Sequence, residues 1–398
     1  MTKPVSVSLE FIVLVALLNA LVAMSIDTML PAIGTMAKEL GAVDPNDRQL
    51  IISAFFAGLT IGTLIYGPIS DSTGRKPTIF AALALYGIGT IICLFATSFP
   101  MVLAGRALQG FGAAGTRIVS IAMVRDGSAG AAMARVMSFV MSVFMLVPIM
   151  APSIGQLILL LASWRMIFVV FFAMASGAAV WLALRQPETL APERRAPLSI
   201  TSMLSAAGIF FTNRHALAYT LAVGFIFGSF INYLGTSQQI FAEQYGQAEW
   251  FAVWFGVFAI AIALAMILNG RMVMRFGMRL LSKWALRGEI LLSLAFLAVA
   301  IILHGHPPLW LLGTYLFATF FCCGLLFGNY NAIAMEPMGR VAGMAAAISG
   351  SLSNLVALIS GSLIGRLYDG TVVPLVAGYA GLGLLAFLLT EWAERRRA

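Results

Sequence analysis

Twelve long apolar segments constrain the fold of this chain more than any other feature of its sequence. A helix that crosses the hydrocarbon core of a bilayer needs about 20 predominantly apolar residues. Of the 398 residues, 61% are hydrophobic and only 10% are charged. We therefore predict an all-α membrane protein with twelve transmembrane helices. Their predicted starts lie near Phe11, Arg48, Thr78, Pro100, Met133, Trp164, Arg214, Trp250, Ser282, Pro307, Val341 and Thr371.

Lysine and arginine residues are distributed unequally between the two sides of a twelve-helix chain. The side of the N-terminus receives Lys3, Arg75, Lys76, Arg125, Arg135, Arg185, Arg194, Arg195, Arg214, Arg271, Arg275, Arg279, Lys283, Arg287, Arg340 and Arg395 to Arg397, and the opposite side keeps Lys38, Arg48, Arg165 and Arg366. Cytoplasmic loops of membrane proteins carry such an excess of cations. We therefore predict that both termini lie in the cytoplasm.

Charge and motif content disfavour several classes of function. The net charge of +8 is spread over many loops, so anionic membrane lipid rather than nucleic acid is the expected counterpart. The three cysteines lie in apolar segments and the three histidines have no metal-ligand spacing, so we predict no disulfide, metal or cofactor. Clustered carboxylates, a nucleophile elbow and a Walker-type loop are absent from the sequence, which predicts neither an enzyme nor an ATP-driven pump.

The longest polar interruption lies between the sixth and seventh apolar segments. It is rich in proline and charge, so it is predicted to be a cytoplasmic linker, with a weakly amphipathic stretch at 198–211. The predicted domains are an N-terminal six-helix bundle at 1–185, the linker at 186–213 and a C-terminal six-helix bundle at 214–398.

A short polar loop, Gly67-Pro-Ile-Ser-Asp71-Ser-Thr-Gly74-Arg75-Lys76-Pro77, connects the second and third predicted helices. Gly74 permits a sharp reversal of the chain. Asp71 would end a helix, where the helix dipole disfavours a carboxylate. It therefore needs a partner, either Arg75, Lys76 or the N-terminus of another helix.

The second half contains a counterpart of this loop. Gly270 and Gly277 recur at the interval that separates the two glycines of the first loop, with Arg279 in place of its lysine and Met274 in place of its aspartate. We interpret the match as a repeat of six helices. Parallel repeats with a substrate site at their interface are a known transporter architecture.

Ionisable residues inside predicted spans are costly and usually functional, and Asp27 and Arg106 are the candidates here. Arg117 also falls inside a span, near the cytoplasmic interface, and is interpreted as a residue that snorkels. Asp27 is 16 residues after the start of the first span and Arg106 six residues after the start of the fourth, which runs in the opposite direction. At about 1.5 Å per residue, both fall at a similar depth, so the two are expected to pair. Either Asp27 is a proton carrier, or the pair is a permanent structural ion pair.

Several segments resemble transporter motifs. The loop from Gly67 resembles the signature between the second and third helices of major facilitator transporters. The segment around Arg106, which ends in Arg125-Asp126, resembles their fourth-helix arginine motif. Pro148-Ile-Met-Ala-Pro152-Ser-Ile-Gly155 resembles the signature associated with antiporters. Together with the opening Asp27-x-x-x-Pro31, these motifs make the chain similar to the bicyclomycin/chloramphenicol resistance family of drug:proton antiporters.

This resemblance implies a major facilitator fold of two pseudo-symmetric six-helix bundles in the bacterial inner membrane. It implies proton-coupled export of drugs or small amphipathic compounds by alternating access, and hence multidrug efflux and antibiotic resistance. Asp27 and Arg106 would act in proton coupling. The conformational gate would comprise Gly67, Asp71, Gly74, Arg75, Lys76, Arg125, Pro148, Pro152 and Gly155. The alternative is a proton-coupled transporter dedicated to a natural metabolite, because a fold does not determine its substrate.

Aromatic, methionine and amide side chains in the spans are candidates for a pocket that binds an apolar or amphipathic substrate. The candidate substrate-binding residues are Phe55, Met141, Asn232, Tyr233, Phe327, Asn329 and Tyr330. The alternative for each is a structural role in the core or between helices. Glu289 and Glu336 are interpreted as members of salt bridges at helix ends. We expect a monomer.

Overall fold

The computed structural model of this protein describes residues 8–128 and 130–395, and every regular element within them is helical. Lys3, Arg396 and Arg397, which contribute to the charge asymmetry, lie outside the described residues. The α-helices are α1 Leu9–Asp27, α2 Ile33–Glu39, α3 Leu50–Thr73, α4 Arg75–Leu94, α5 Phe99–Gly127, α6 Gly130–Leu161, α7 Arg165–Arg185, α8 Ile200–Thr212, α9 Arg214–Gln238, α10 Phe251–Phe276, α11 Met278–Ile302, α12 Leu309–Met335, α13 Ala342–Gly365 and α14 Val373–Glu394.

Twelve segments of the described chain are long and apolar enough to cross a membrane, which confirms the predicted number. They are α1 together with α2, then α3 to α7 and α9 to α14. The remaining helix, α8, falls in the predicted linker. Its Phe210 is buried against Ala216, Met338 and Ala345, while Leu204 is exposed. One face of α8 therefore packs on the protein and another does not.

Short polar residues and prolines set the ends of several helices. The Ser8 side chain accepts a hydrogen bond from the Phe11 N–H at the start of α1, and Asn213 caps α9 in the same way through Ala216 N. Such caps satisfy backbone donors that the first turn leaves without intrahelical partners. Single-turn 3₁₀ or π segments occur at Leu30–Ala32, Pro45–Gln49, Pro192–Arg194, Gln239–Gln244 and Glu336–Val341.

The chain forms two compact units. The first comprises Met1–Val43 and Ala54–Ile200, and the second comprises Asp44–Ser53 and Thr201–Ala398. The inclusion of Asp44–Ser53 in the second unit was not predicted. There the Gln49 side chain donates to the Gly365 carbonyl (2.9 Å) and the Gln239 side-chain oxygen (3.1 Å). These bonds bury an amide that the apolar pattern of the sequence does not reveal.

Candidate functional site

Asp27 lies at a break in the first membrane span. It is the last residue of α1, and Pro31 follows in a 3₁₀ turn before α2 begins. A proline has no N–H to donate, and its ring collides with the carbonyl of the residue four positions earlier, which here is Asp27. The Asp27-x-x-x-Pro31 spacing therefore ends the helix at the carboxylate. The Asp27 side chain is only 5% exposed.

Arg106 contacts α1 close to Asp27 but does not bind its carboxylate. The guanidinium, fully buried in α5, donates to the Ser25 carbonyl at 2.9 Å and to the Gln109 side-chain oxygen at 2.5 Å. It also lies 4.5 Å from the centre of the Phe55 ring. Among the described residues no ion pair or side-chain hydrogen bond involves Asp27.

The predicted pairing of Asp27 with Arg106 is therefore wrong. Arg106 does reach a residue only two positions from Asp27. Residues two positions apart in an α-helix, however, are separated by about 200° around its axis. Ser25 and Asp27 consequently face nearly opposite directions. The spacing of residues along the sequence does not show how one helix is rotated relative to another.

The segment that resembles the antiporter signature packs on this break. A Cβ atom at Gly155 of α6 would lie 2.0 Å from the Thr28 carbonyl oxygen, closer than any side chain tolerates. The close approach of α6 to the residue after Asp27 thus requires glycine. Pro148 and Pro152 lie inside the same helix, where each removes a backbone hydrogen bond.

The predicted polar loop from Gly67 is helical except at Gly74, because α3 ends at Thr73 and α4 begins at Arg75. A network of charges holds this junction. The Arg75 side chain, only 3% exposed, contacts Asp71 at 2.5 Å and Asp126 at 2.8 Å, and it donates to the Ser70 hydroxyl. Of the partners considered for Asp71, the structure provides Arg75. Gly74 has a φ of 107°, a conformation in which a side chain is strained.

The linker supplies the other half of this network. The two carboxylate oxygens of Glu188 accept hydrogen bonds from the backbone N–H groups of Arg75 and Lys76, each at 3.0 Å. A carboxylate is favoured there because the start of a helix carries the positive end of its dipole. Lys76 in turn donates to the Gln186 carbonyl at 2.8 Å. We call Asp71, Arg75, Asp126 and Glu188 the loop network.

Sequence reasoning missed two members of the loop network. At the end of α5, Arg125 was predicted to belong to the gate, but it is exposed. Its neighbour Asp126 contacts Arg75 instead. Sequence reasoning assigned Glu188 only to a polar linker. The available signal was a helix start that has no N-cap side chain of its own, because such a start can accept a carboxylate from a distant linker. Gly67 is surrounded by open space, so the local packing does not require glycine there.

The pocket candidates of the second unit are mostly engaged with neighbouring helices. Asn329 of α12 exchanges two hydrogen bonds with Asn269 of α10, at 2.9 and 3.0 Å. The Tyr330 ring packs edge-on against Tyr219. Asn232 differs, because it is buried and neither atom of its amide has a hydrogen-bond partner among the described residues. An unsatisfied buried amide is costly and indicates a place for a polar group to bind.

An aromatic cluster surrounds the remaining candidates of this unit. Tyr233 is buried with its ring centre 4.8 Å from that of Phe320, and Phe327 lies edge-on to Phe227 and Phe230. Phe227, Phe230 and Phe327 are only partly buried. In the first unit, Phe55 is buried beneath Arg106, and Met141 of α6 is partly buried.

The two glutamates interpreted as salt-bridge residues behave differently. Glu336 does contact Arg279, at 2.5 Å, just beyond the end of α12. The interpretation of Glu289 is wrong. It lies 11 residues into the 25-residue helix α11, is 3% exposed, and forms no ion pair in the part of the chain that the structure describes. The error arose because the predicted start of this helix, near Ser282, lay four residues after the observed start at Met278.

Comparison with known proteins gives matches over almost the whole chain. The family model described as Major Facilitator Superfamily matches residues 15–361. The uncharacterised MFS-type transporter YdgK of Bacillus subtilis (strain 168) is 33% identical over 381 residues, which cover 94% of this chain and 93% of the relative. The Bicyclomycin resistance protein homolog of Haemophilus influenzae (strain ATCC 51907 / DSM 11121 / KW20 / Rd) is 28% identical over 370 residues, covering 92% and 91%. Multidrug resistance protein D of Escherichia coli (strain K12) is 25% identical over 396 residues, covering 96% and 93%.

Solved structures have the same fold at low sequence identity. A D-xylose-proton symporter matches with a TM-score of 0.77 at 14% identity, over 96% of both chains. The human organic anion transporter MFSD10 (TETRAN) matches with a TM-score of 0.66 at 20% identity, over 96% of this chain and 98% of the other. These matches and the twelve spans confirm the predicted fold class.

Proposed function

Because the chain belongs to the Major Facilitator Superfamily, we propose that this transporter is a proton-coupled antiporter that exports small amphipathic compounds, including antibiotics, by alternating access. The observation that carries the proposal is Asp27, a buried carboxyl group without an ion-pair partner in the described chain, at a break in a membrane helix. Relatives named for bicyclomycin and multidrug resistance support export of drugs. The protein is a multi-pass inner-membrane protein, and we propose cytoplasmic termini, bound lipid and a monomeric state.

Asp27 would carry the proton. No cation of the described chain neutralises its carboxylate, so proton binding is the change that removes the charge from this apolar position. Asp27 precedes Thr28, whose backbone Gly155 of α6 approaches closely, and the break at Pro31 follows. A change in the packing of α1 and α6 would alter the access of water to the carboxyl group and thereby couple its protonation to the conformation.

Arg106 would act as a positioning residue for this site. Its bond to the Ser25 carbonyl fixes the last turn of α1 against α5, and its bond to Gln109 within α5 orients the guanidinium. The planar guanidinium is suited to holding several acceptors at once, whereas a lysine is not. We therefore expect Arg106→Lys to keep the charge but to reduce coupled transport by at least about 10-fold, equivalent to about 1.4 kcal/mol in the barrier.

The loop network would form the conformational gate. It joins α3, α4, α5 and the linker within the first unit, and the Arg75 side chain at its centre is largely buried. A network of this kind has to be rearranged whenever these helices separate, so it favours one of two arrangements. The backbone hydrogen bonds that Pro148 and Pro152 remove from α6 would make it easier for that helix to bend.

The substrate would contact the partly buried aromatic side chains of the second unit. Phe227, Phe230 and Phe327 present apolar faces. The Asn232 amide is not part of this surface, because it lies beside Gly365 of α13 and Gly378 of α14. An aromatic surface favours an apolar or weakly polar compound over a strongly charged one. The second candidate function, transport of a natural metabolite, relies on the same surface and differs only in its cargo.

The test is proton movement in proteoliposomes that contain an internal pH indicator. Addition of chloramphenicol or the cationic dye ethidium is expected to drive proton flux through the wild type but not through Asp27→Asn. The matched control is Asp369→Asn, the same change at an exposed loop residue, where the remaining oxygen can still accept from Thr371. Wild-type pH dependence in Asp27→Asn would overturn the assignment, and absence of flux with every drug in a folded wild type would favour the metabolite transporter.

A further inference from the structure

The second unit contains its own buried carboxyl group, which the proposed mechanism does not use. Glu289 lies about 17 Å along α11 from Met278, near the middle of the helix. Its side chain is 3% exposed, and its Oε2 atom has no hydrogen-bond partner among the described residues. A glutamate is rarely buried in this way without a functional reason.

The surroundings of Glu289 leave space for the carboxyl group and connect it to hydroxyl groups. A Cβ atom at Gly383 of α14 would lie 2.5 Å from Glu289 Oε2, so a larger residue there would displace the carboxyl group. On the other side, the Ser293 hydroxyl lies 3.4 Å from Glu289 Oε1 and 3.0 Å from the Tyr315 hydroxyl. Tyr379, one helical turn before Gly383, is buried with a hydroxyl group that has no partner in the described chain.

The groups that face Glu289 are neutral when the side chains have their ordinary protonation states. They come from the two helices packed most extensively on α11 and are Tyr315, Cys322, Cys323 and Tyr330 of α12 and Tyr379 of α14. The cations of the neighbouring helical turns are directed elsewhere. Lys283 of α11 and Arg271 and Arg275 of α10 are exposed, and Arg287 contacts Glu391 at 3.4 Å.

We propose that Glu289 is a second proton-binding site of this transporter, connected to the Ser293 and Tyr315 hydroxyl groups. A metal or alkali cation does not suit the site, because such ions prefer about six oxygen ligands and only one carboxylate is present. A drug-sized substrate does not suit it either, since the surrounding side chains are buried. The proposal rests on the proposed antiport function and adds to it a proton site in the second unit.

Infrared spectroscopy of the purified, reconstituted protein tests the site without requiring transport. The carbonyl stretching band of a protonated carboxyl group is measured between about pH 5 and pH 9, a range in which buried glutamates titrate. We expect a band that decreases as pH rises, that is lost in Glu289→Gln and that remains in Asp27→Asn. Tyr315→Phe, which keeps the ring stacked on Phe296, is expected to shift the pH at which the Glu289 band changes.

The control is Glu193→Gln, the same substitution at an exposed linker residue. A spectrum of Glu289→Gln identical to that of the wild type would overturn the proposal, because Glu289 would then carry no proton in this pH range. A Glu289 band that stays constant over the pH range would also overturn it and would leave a permanently protonated structural residue. A band that responds to NaCl or KCl at constant pH would overturn it in favour of a cation site.

Transport measurements separate this proposal from the proposed function. If both hold, Glu289→Gln is expected to move about half as many protons per drug molecule as the wild type, because Asp27, the site without which export stops, still carries its proton while the proton at Glu289 is lost. An unchanged proton-to-drug ratio would overturn a coupling role for Glu289 while leaving antiport intact. A wild type that moves no protons with any drug would contradict antiport, whereas the infrared titration would still report whether Glu289 binds a proton.

Discussion

The polar loop of the first unit and its counterpart in the second reverse the chain in the same way but are held differently. Both use a glycine with a positive φ, 107° at Gly74 and 77° at Gly277. In the first loop, Arg75 contacts two carboxylates, whereas in the second the residue corresponding to Asp71 is Met274, which is 87% exposed. The comparison shows that the reversal needs only glycine. The charge network of the first loop therefore serves another purpose.

The second unit fixes its loop through helix ends instead. Arg279 contacts Glu336 at 2.5 Å and also binds Glu394. These side chains are about a third to a half exposed, unlike Arg75. Solvent weakens ion pairs of exposed side chains. We infer that the first loop contributes more to stability and to switching than the second, and the following substitutions test that inequality.

The largest effect is expected from Arg75→Ala. It leaves Asp126, whose side chain is 10% exposed, without its cation, and loss of one partner of a buried pair costs about 3 kcal/mol. Arg279→Ala is the matched substitution in the second loop and is expected to cost about 1 kcal/mol. The measurement is thermal unfolding in detergent together with chloramphenicol transport. Equal losses in the two variants would contradict the inequality.

A smaller effect is expected from Asp126→Asn, which removes one charge but keeps a hydrogen-bond acceptor for Arg75. We expect a loss of about 2 kcal/mol, as for a charged hydrogen bond in a partly buried site. Arg125→Gln changes the adjacent exposed residue and is expected to remain within about 0.5 kcal/mol of the wild type. The reverse order of the two variants in thermal unfolding would restore the role predicted for Arg125 from the sequence.

The sequence predicted the features that depend on periodicity and missed those that depend on contacts between helices. Span number and the reversal at Gly74 follow from apolar length and backbone conformation, which are local properties. The end of α1 at Asp27 was not predicted, although Pro31 indicates it, because the clash involves residues four apart. None of these features depends on how one helix is rotated against another.

To predict which residues contact one another in the sites, the rotation of each helix against its neighbours would have to be known. The predicted Asp27–Arg106 pair failed because equal depth does not specify rotation, and Arg106 binds the Ser25 carbonyl instead. Glu188 was missed because its hydrogen bonds join residues more than 100 positions apart. Glu289 was misplaced because an error of four residues in a helix start moves a side chain by one full turn.

A further prediction concerns the contribution of the linker to the loop network. Glu188→Gln keeps one oxygen for the backbone N–H groups at the start of α4, but its amide nitrogen cannot accept the second bond. Loss of that bond and of the charge at the helix N-terminus is expected to cost about 1 kcal/mol in thermal unfolding. The control, Glu193→Gln, lies in the same linker and is exposed. An equal effect of both would show that linker charge in general, rather than this contact, matters.

The smallest effect is expected when the first loop's ion pair is copied into the second. Met274→Asp combined with Met278→Arg places a carboxylate and a guanidinium four residues apart, as in the Asp71–Arg75 pair. Neither position is buried, so a double-mutant cycle should give a coupling of at most about 0.5 kcal/mol. The copied pair lacks counterparts of Asp126 and Glu188, which we hold responsible for the strength of the original. A coupling of about 2 kcal/mol would contradict that account, because the pair alone would then suffice.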